Sequence, residues 1–384
     1  MKSADAIIIG AGHGGVECAV ALRAKGFAGS IALLSDEQQL PYERPPLSKA
    51  MLAGTMDVER LRLRSEAIYA KNGIELALGR RIDRLDPAAG TATTTGGEVW
   101  AFRHCVIATG ARARRLAQPD GPGVYSIRSI DDVLAMRTAL QPGMRLLVLG
   151  GGYLGLEAAC TAAGLGARVH VIEQAPVIMS GRVSDVTAGR MHALHLEKGV
   201  SISTGAMVAS WERTDTAWRA LTTDGAVHLA DIVLVAIGAT PNIEFAEAAG
   251  LACNGGILVD DACRSSAPNV FAIGDCAARM NPELGRAIRI ESVNNALVQA
   301  RTVAAVLTGN TPDARKAPTF WSEQCGRRLQ MAGLALPGTP CEDVARDTAR
   351  GWLVERYQHG VLCAVEAVDS PVEFMQAAKR ISIQ

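Results

Sequence analysis

At 384 residues the chain is too long for one ordinary domain, and with 48% hydrophobic and 20% charged residues it has the composition of a globular protein able to bury a large core without cross-links. Lys plus Arg and Asp plus Glu both number 39, so the net charge is zero, which argues against bulk electrostatic binding to nucleic acid or to an anionic membrane. No apolar run reaches the ~18 residues of a membrane span, and nine scattered cysteines without a CxxC are a poor disulfide framework, so reduced, mostly buried thiols in a cytoplasmic protein are expected.

In chain order, the first predicted strand is Asp5–Gly10 (DAIIIG), a short apolar run ending in glycines. An Ala/Leu-rich helical pattern follows, then a second apolar run at Ser30–Leu34. An apolar segment at Cys105–Ala108 precedes a breaker-rich stretch, Ala117–Val124, where the chain is expected to cross between domains. The pattern then repeats: Arg145–Gly150 (RLLVLG), a helix, and Arg168–Ile172. The run Ile232–Ile237 closes this second unit, and Pro241 marks a crossing back. From about Gly309 the pattern changes to alternation, in Trp352–Tyr357 and Gly360–Val365, with a final helix near Phe374–Arg380. Two strand–turn–helix–strand units predict an α/β fold with two Rossmann-like dinucleotide-binding domains plus a small C-terminal α+β domain. The expected division is 1-112 with 241-309, 113-240, and 310-384.

The two glycine turns carry the chemistry. Gly10, Gly12, Gly14 and Gly15 fit GxGxxG, and Gly150, Gly152 and Gly155, with Tyr153 and Leu154 between them, form the second turn. In such a turn the first glycine permits the sharp bend, the second lets a pyrophosphate reach the backbone, and the last lets helix and strand pack closely. The N–H groups of the helix N-terminus then hold the phosphates. One GxGxxG alone is weak evidence, but each of these follows a strand and opens a helix. Each also has an acid at a ribose-binding distance: Asp36 lies 21 residues after Gly15, and Glu173 lies 18 after Gly155. Two dinucleotide sites suggest one bound flavin and one exchangeable nicotinamide, because flavins take hydride from nicotinamides. A carboxylate at Glu173 favours NADH over NADPH.

Several segments resemble those of the FAD-dependent ferredoxin–NAD reductases of bacterial oxygenase systems, of the putidaredoxin, rhodocoxin and biphenyl-dioxygenase type. They are Pro41–Lys49 (PYERPPLSK), Ile107–Gly110 (IATG), Ala236–Asn242 (AIGATPN), Val270–Asp275 (VFAIGD), Glu291–Val293 (ESV) and Phe320–Gln324 (FWSEQ). The resemblance implies tightly held, non-covalent FAD, NADH as exchangeable substrate, and a [2Fe-2S] ferredoxin as partner. It implies FAD contacts from Asp36, Arg44, Ile82, Thr109, Gly110, Arg128, Asp275 and Val293, and places Lys49 beside the flavin ring. It places Glu157 and Gly238 at the nicotinamide nucleotide, and Lys49 and Glu157 are expected to pair there as the catalytic groups. Because Asp36 follows Ser35 and not the last apolar residue of its strand, Asp36 and Glu37 compete for the adenosine ribose.

The sequence departs from the family at Thr319, where many relatives have Trp, so no particular aromatic is singled out as an electron relay. Disulfide reductases of this fold carry a cysteine pair where Arg44–Lys49 stands; here that stretch has none. Cys18 and Cys276 are expected to be packing residues, and electrons to leave the flavin without a thiol step. His192 and His195, spaced i, i+3 on a predicted helix, lack the further ligands of a metal site. An acidic ferredoxin would meet basic residues flanking the FWS segment, for which Arg301, Arg315, Lys316, Arg327 and Arg328 are the candidates. The competing functions are a rubredoxin reductase and a flavin- and NADH-binding signalling protein of the apoptosis-inducing-factor type.

Overall fold

The structure, a computed structural model, describes residues 1–381 apart from Glu283, Arg315 and Pro337. The chain divides into two compact units, one of Met1–Glu43, Leu61–Arg112 and Pro241–Pro318, the other of Arg44–Arg60, Ala113–Thr240 and Thr319–Gln384. Among the described residues no helix is long and apolar enough to cross a membrane.

In the first unit the strands Ile74–Ala77, Ile31–Leu34, Lys2–Ile9 and Val99–Ile107 lie side by side in parallel, and Val270–Ala272 extends the row beyond Val99–Ile107. Both faces are covered, so the strands read as continuous apolar runs, not as alternating ones. Ile7 and Ile9 enter one hydrophobic cluster, Ala6 and Ile8 the other. The strand Val99–Ile107 is shared. One side pairs parallel with Lys2–Ile9 along its length; on the other side its first half pairs antiparallel with Thr91–Thr94, which in turn pairs with Ile82–Asp86, and its second half pairs parallel with Val270–Ala272. The helix His13–Ala24 follows the first glycine turn and packs on the helix Val293–Leu307.

The second unit has its own five-stranded parallel sheet, in the order Ser201–Thr204, Arg168–Glu173, Arg145–Leu149, Ile232–Val235, Val124–Tyr125. Its glycine turn opens the helix Tyr153–Gly164. A three-stranded antiparallel sheet, Val208–Arg213, Trp218–Thr222 and Val227–Ala230, adjoins it. The C-terminal residues form a five-stranded antiparallel sheet, in the order Thr319–Gln324, Arg327–Gly333, Val361–Val368, Trp352–Gln358, Glu342–Asp347, followed by the helix Pro371–Ala378. Leu329, Met331, Trp352, Val354 and Val368 of this sheet share one buried cluster with Leu156, Met179 and Met191, which fixes the sheet to the second nucleotide fold. The segment Arg44–Arg60 belongs to this unit by its contacts, although its sequence position suggests the first domain. Its helical turn Leu47–Met51 packs on the helix Tyr153–Gly164, where the Thr161 hydroxyl donates to the Ser48 carbonyl at 2.9 Å.

Candidate functional site

Each unit builds its glycine turn to the same plan. Gly10 and Gly150 have φ of +108° and +103°, where a side chain would be strained, and a Cβ on either would strike a carbonyl oxygen, of Ala108 or Ala236. A Cβ on Gly15 would collide with the Gly10 carbonyl, and one on Gly155 with the Gly150 carbonyl. Gly12 and Gly152 are different. Their φ values are −77° and −81°, open to any residue, and among the described residues nothing comes within 4 Å of a Cβ on either. Neither backbone nor packing calls for glycine there. Each leaves open space before a helix that lacks a side-chain cap and has no acid in its first turn. A helix N-terminus beside a bare backbone fits a pyrophosphate.

Around the first turn, the first unit assembles most of its predicted flavin residues. Thr109 and Gly110 form the loop behind Gly10 and are clamped to Asn242: the Thr109 hydroxyl donates to the Asn242 backbone carbonyl at 2.7 Å, and the Asn242 backbone N–H donates to the Gly110 carbonyl at 3.0 Å. Asp275 lies in the short turn Gly274–Cys276, and Val293 opens the helix Val293–Leu307, capped by Ser292, whose hydroxyl accepts the Asn295 N–H at 3.1 Å. Cβ atoms on Gly14 and Gly274 would both meet Ala296 at 3.5 Å, so the fingerprint helix, the Gly-Asp turn and the start of this helix converge. Ile82 begins its strand and is buried. The Gly10 N–H donates to the Leu34 carbonyl, just as Gly150 donates to Ile172, so Ser35 occupies the place that Glu173 has in the other unit. Asp36 is exposed, whereas the Glu37 carboxylate accepts the Tyr42 hydroxyl at 2.5 Å.

In the second unit Glu173 is fixed at both oxygens, accepting the Gly151 N–H at 2.6 Å and the Ala175 N–H at 2.7 Å. Gly238, at φ +103°, belongs to the loop behind Gly150, as Gly110 does behind Gly10. Tyr153 packs its ring against Phe320, centroids 4.7 Å apart, so the second fingerprint and the Phe-Trp-Ser segment meet. Leu154 is half-buried beside it. Arg44 donates to the Arg128 carbonyl at 2.5 Å, and the Arg128 N–H donates to Asp132, part of the capping box that starts the helix Ile130–Ala139.

Lys49 and Glu157 form an ion pair, Nζ to Oε2 at 2.5 Å, with Glu157 only 8% exposed. Two hydroxyls complete the carboxylate's shell: Ser48 donates to Oε2 and Ser322 donates to Oε1, both at 2.6 Å. Gln324 donates to the Ser322 oxygen at 3.0 Å. A buried carboxylate so fully bonded holds one orientation. Ser48, Ser322 and Gln324 were not predicted as site residues, although all three stand inside motifs the sequence displays, PPLSK and FWSEQ. The signal was there, but their target lies 109 positions after Ser48 and 165 before Ser322.

Residues 4–300 match the pyridine nucleotide-disulphide oxidoreductase family, and residues 319–384 match the reductase C-terminal domain. The chain belongs to this oxidoreductase family. It is 37% identical over 382 residues to rhodocoxin reductase of Rhodococcus erythropolis, covering 98% of this chain and 89% of the relative. It is 38% identical over 354 residues to the ferredoxin–NAD(+) reductase component of the anthranilate 1,2-dioxygenase system of Burkholderia cepacia, covering 91% and 87%. Among solved structures, the covalent putidaredoxin reductase–putidaredoxin complex superposes with a TM-score of 0.92 at 36% identity, covering 99% of this chain and 93% of that one.

In this member of the pyridine nucleotide-disulphide oxidoreductase family, two sequence expectations need correction. The cysteines are not all free thiols: Cys160 and Cys325 are joined in a disulfide, Cα atoms 5.5 Å apart. They lie 165 positions apart and meet because the C-terminal sheet packs on the helix Tyr153–Gly164, which no spacing in the sequence reveals. Cys18 and Cys276 are fully buried, and burial pushes both thiols up, as expected of packing residues. The expected basic patch is also partly spent on carboxylates. Arg301 pairs with Glu17 at 2.6 Å, Arg327 with Asp369 at 2.6 Å, and Arg328 approaches Glu323 at 3.9 Å. Lys316 is exposed, and Arg315 lies outside the described residues.

Proposed function

We propose that the chain is an FAD-containing reductase that takes electrons from NADH and passes them to a [2Fe-2S] ferredoxin of a bacterial oxygenase system. The observation that carries this is the matched pair of glycine turns, each with a middle glycine at a helix start that neither backbone nor packing calls for, in a chain similar over nine tenths of its length or more to rhodocoxin reductase and to the reductase component of a dioxygenase system. In this proposal residues 1-112 with 241-309 hold FAD, 113-240 hold NADH, and 310-384 form the C-terminal domain. The helix behind Gly12 would bind the FAD pyrophosphate, with Asp36 on the adenosine ribose, Ile82 at the adenine, Asp275 on the ribityl chain and Val293 at the pyrimidine edge. Lys49, Arg44 and Arg128 keep the flavin roles that the resemblance gives them. The helix behind Gly152 would bind the NADH pyrophosphate, with Glu173 on its ribose. Bound FAD supplies the redox chemistry, accepting hydride from NADH and releasing electrons singly. The protein's part is to hold Lys49 and Glu157 in a fixed, mutually neutralising pair beside the exchange.

The two kinds of glycine give a direct test. Gly12→Val should fold, because its backbone and surroundings tolerate a side chain, yet purify colourless, because the side chain fills the pyrophosphate's space. Gly15→Val should fail to fold, because its Cβ meets backbone. Absorbance and circular dichroism of the purified variants check both; a yellow Gly12→Val protein with full flavin content would remove FAD from the first turn.

For the partner, rim charges act mainly on association rate and are screened over roughly 8 Å at physiological salt. Ferredoxin reduction should therefore slow as salt rises, while reduction of a small neutral quinone should barely change. With Arg327 and Arg328 already facing carboxylates, reversing both to Glu should raise the ferredoxin KM only modestly, by about threefold. Unchanged ferredoxin kinetics in that variant would move docking away from this hairpin.

A further inference from the structure

The disulfide sits at the end of the hydrogen-bonded chain that holds Glu157. Cys160 lies one helical turn beyond Glu157 on the helix Tyr153–Gly164, and Cys325 lies at the tip of the hairpin whose first strand, Thr319–Gln324, carries Ser322. The bond thus joins the two elements that supply the carboxylate and one of its two hydroxyl donors. His195, fully buried, links the same parts: its Nε2 is 2.9 Å from the Gln324 Oε1, and its Nδ1 is 3.4 Å from the Cys325 sulfur. Because the Gln324 nitrogen donates to Ser322, its oxygen must accept from His195 Nε2. The Nδ1 lone pair therefore faces Cys325, and burial, which lowers the His195 pKa, keeps the ring neutral. Thiol, base and orienting amide stand in the order that activated cysteines use.

The hairpin tip gives an independent indication. Cys325 and Gly326 have φ of +55° and +75°, the two left-handed positions of a tight turn that favours Asn-Gly. A cysteine at the first position is strained, so turn chemistry does not account for it. Cys160 and Cys325 are both only partly buried, as are Cys253 and Cys341, whereas Cys18, Cys105, Cys263 and Cys276 are sealed in cores.

We propose that Cys160 and Cys325 are a redox-active pair whose thiol–disulfide state sets the position of Glu157. An external dithiol attacks the Cys160 sulfur, and the S–S bond breaks with Cys325 leaving as the thiolate. The mixed disulfide is then resolved by the second external thiol. Two electrons and two protons pass from the dithiol to the pair, and the dithiol leaves as its own disulfide. The Cys325 thiol then donates to His195 Nδ1, which accepts its proton when an external disulfide restores the bond. Once reduced, the strained hairpin tip loses its covalent tie, and Ser322 is no longer held against Glu157 from that side. Glu157 thus acts as a positioning partner of Lys49 in one state and less firmly in the other. The proposal rests on the reading of Lys49 and Glu157 as the hydride-exchange site.

The experiment uses the flavin-loaded full chain, treated anaerobically with diamide or with dithiothreitol and freed of reagent. Alkylation after denaturation should count seven thiols in the first form and nine in the second, with Cys160 and Cys325 as the difference. NADH-driven flavin reduction, followed by stopped flow, should be about threefold to about tenfold slower in the reduced form, the scale of a small misplacement at a reacting centre. Rate and thiol content should titrate together and reversibly against the dithiothreitol couple with a two-electron slope, whereas a merely structural cross-link would resist that couple in the folded protein or leave the rate unchanged. Cys160→Ser should be fixed at the slow rate in both treatments. Nine thiols after diamide, or equal rates in the two forms, overturns the proposal. If Lys49→Met reduces flavin at the wild-type rate, the underlying site assignment fails instead, while the thiol titration still reports on the pair.

Discussion

Lys49→Met should reduce its flavin with NADH between about tenfold and about a hundredfold more slowly than the wild type, with little change in fold or flavin content. Methionine keeps most of the length of the side chain and removes the charge. Glu157 is then left buried with two hydroxyl donors, Ser48 and Ser322, and no counter-charge. Removing one partner of a buried pair costs about 3–5 kcal/mol where both groups are sealed off. Here the Lys49 side chain is 20% exposed, so water recovers part of that loss and the protein should still fold. Glu157→Gln preserves the shape and one of the two serine contacts, and should be milder. In the double variant the effects should be less than additive, because both substitutions break one interaction. Stopped-flow reduction of the three variants decides it; wild-type rates in Lys49→Met would return Lys49 to the surface.

NADH should be preferred to NADPH on the order of a hundredfold in kcat/KM. Both oxygens of Glu173 are held by backbone N–H groups, so the carboxylate is fixed where the strand Arg168–Glu173 ends. At about 4 Å and an effective dielectric near 20, one added like charge costs about 4 kcal/mol, close to a thousandfold, and solvent relaxation reduces this. Gln174 and Ala175 offer no cation to receive a 2′-phosphate. Glu173→Ala should narrow the preference from both sides, raising the NADH KM and lowering that for NADPH. Equal efficiency with the two cofactors in the wild-type protein would contradict the assignment of Glu173.

What the sequence made legible was local. Each glycine turn follows its strand directly and is read within a few residues, and the structure shows the same backbone angles and close approaches at both turns. The strand Val99–Ile107 shows where local reading stops. Only its last residues stand out as an apolar run, because only they have a parallel neighbour on both sides; its first half, with an antiparallel strand on one side, alternates. The Lys49–Glu157 pairing spans 108 positions and was expected only from resemblance. The FWSEQ motif displays Ser322 and Gln324, but nothing local could reveal their partners or the Cys160–Cys325 bond, which are chosen when the C-terminal sheet packs on the helix Tyr153–Gly164. The same holds for Arg44–Arg60, whose contacts lie with a unit that sequence order does not suggest.

The most direct measurement is anaerobic electron transfer by the purified, flavin-loaded protein to an added [2Fe-2S] ferredoxin. NADH should bleach the flavin, ferredoxin should then be reduced, and catalytic NADH oxidation should depend on both the flavin and the ferredoxin. A protein that binds no flavin on reconstitution, or a flavin that NADH reduces but no ferredoxin reoxidises, would contradict the proposed function.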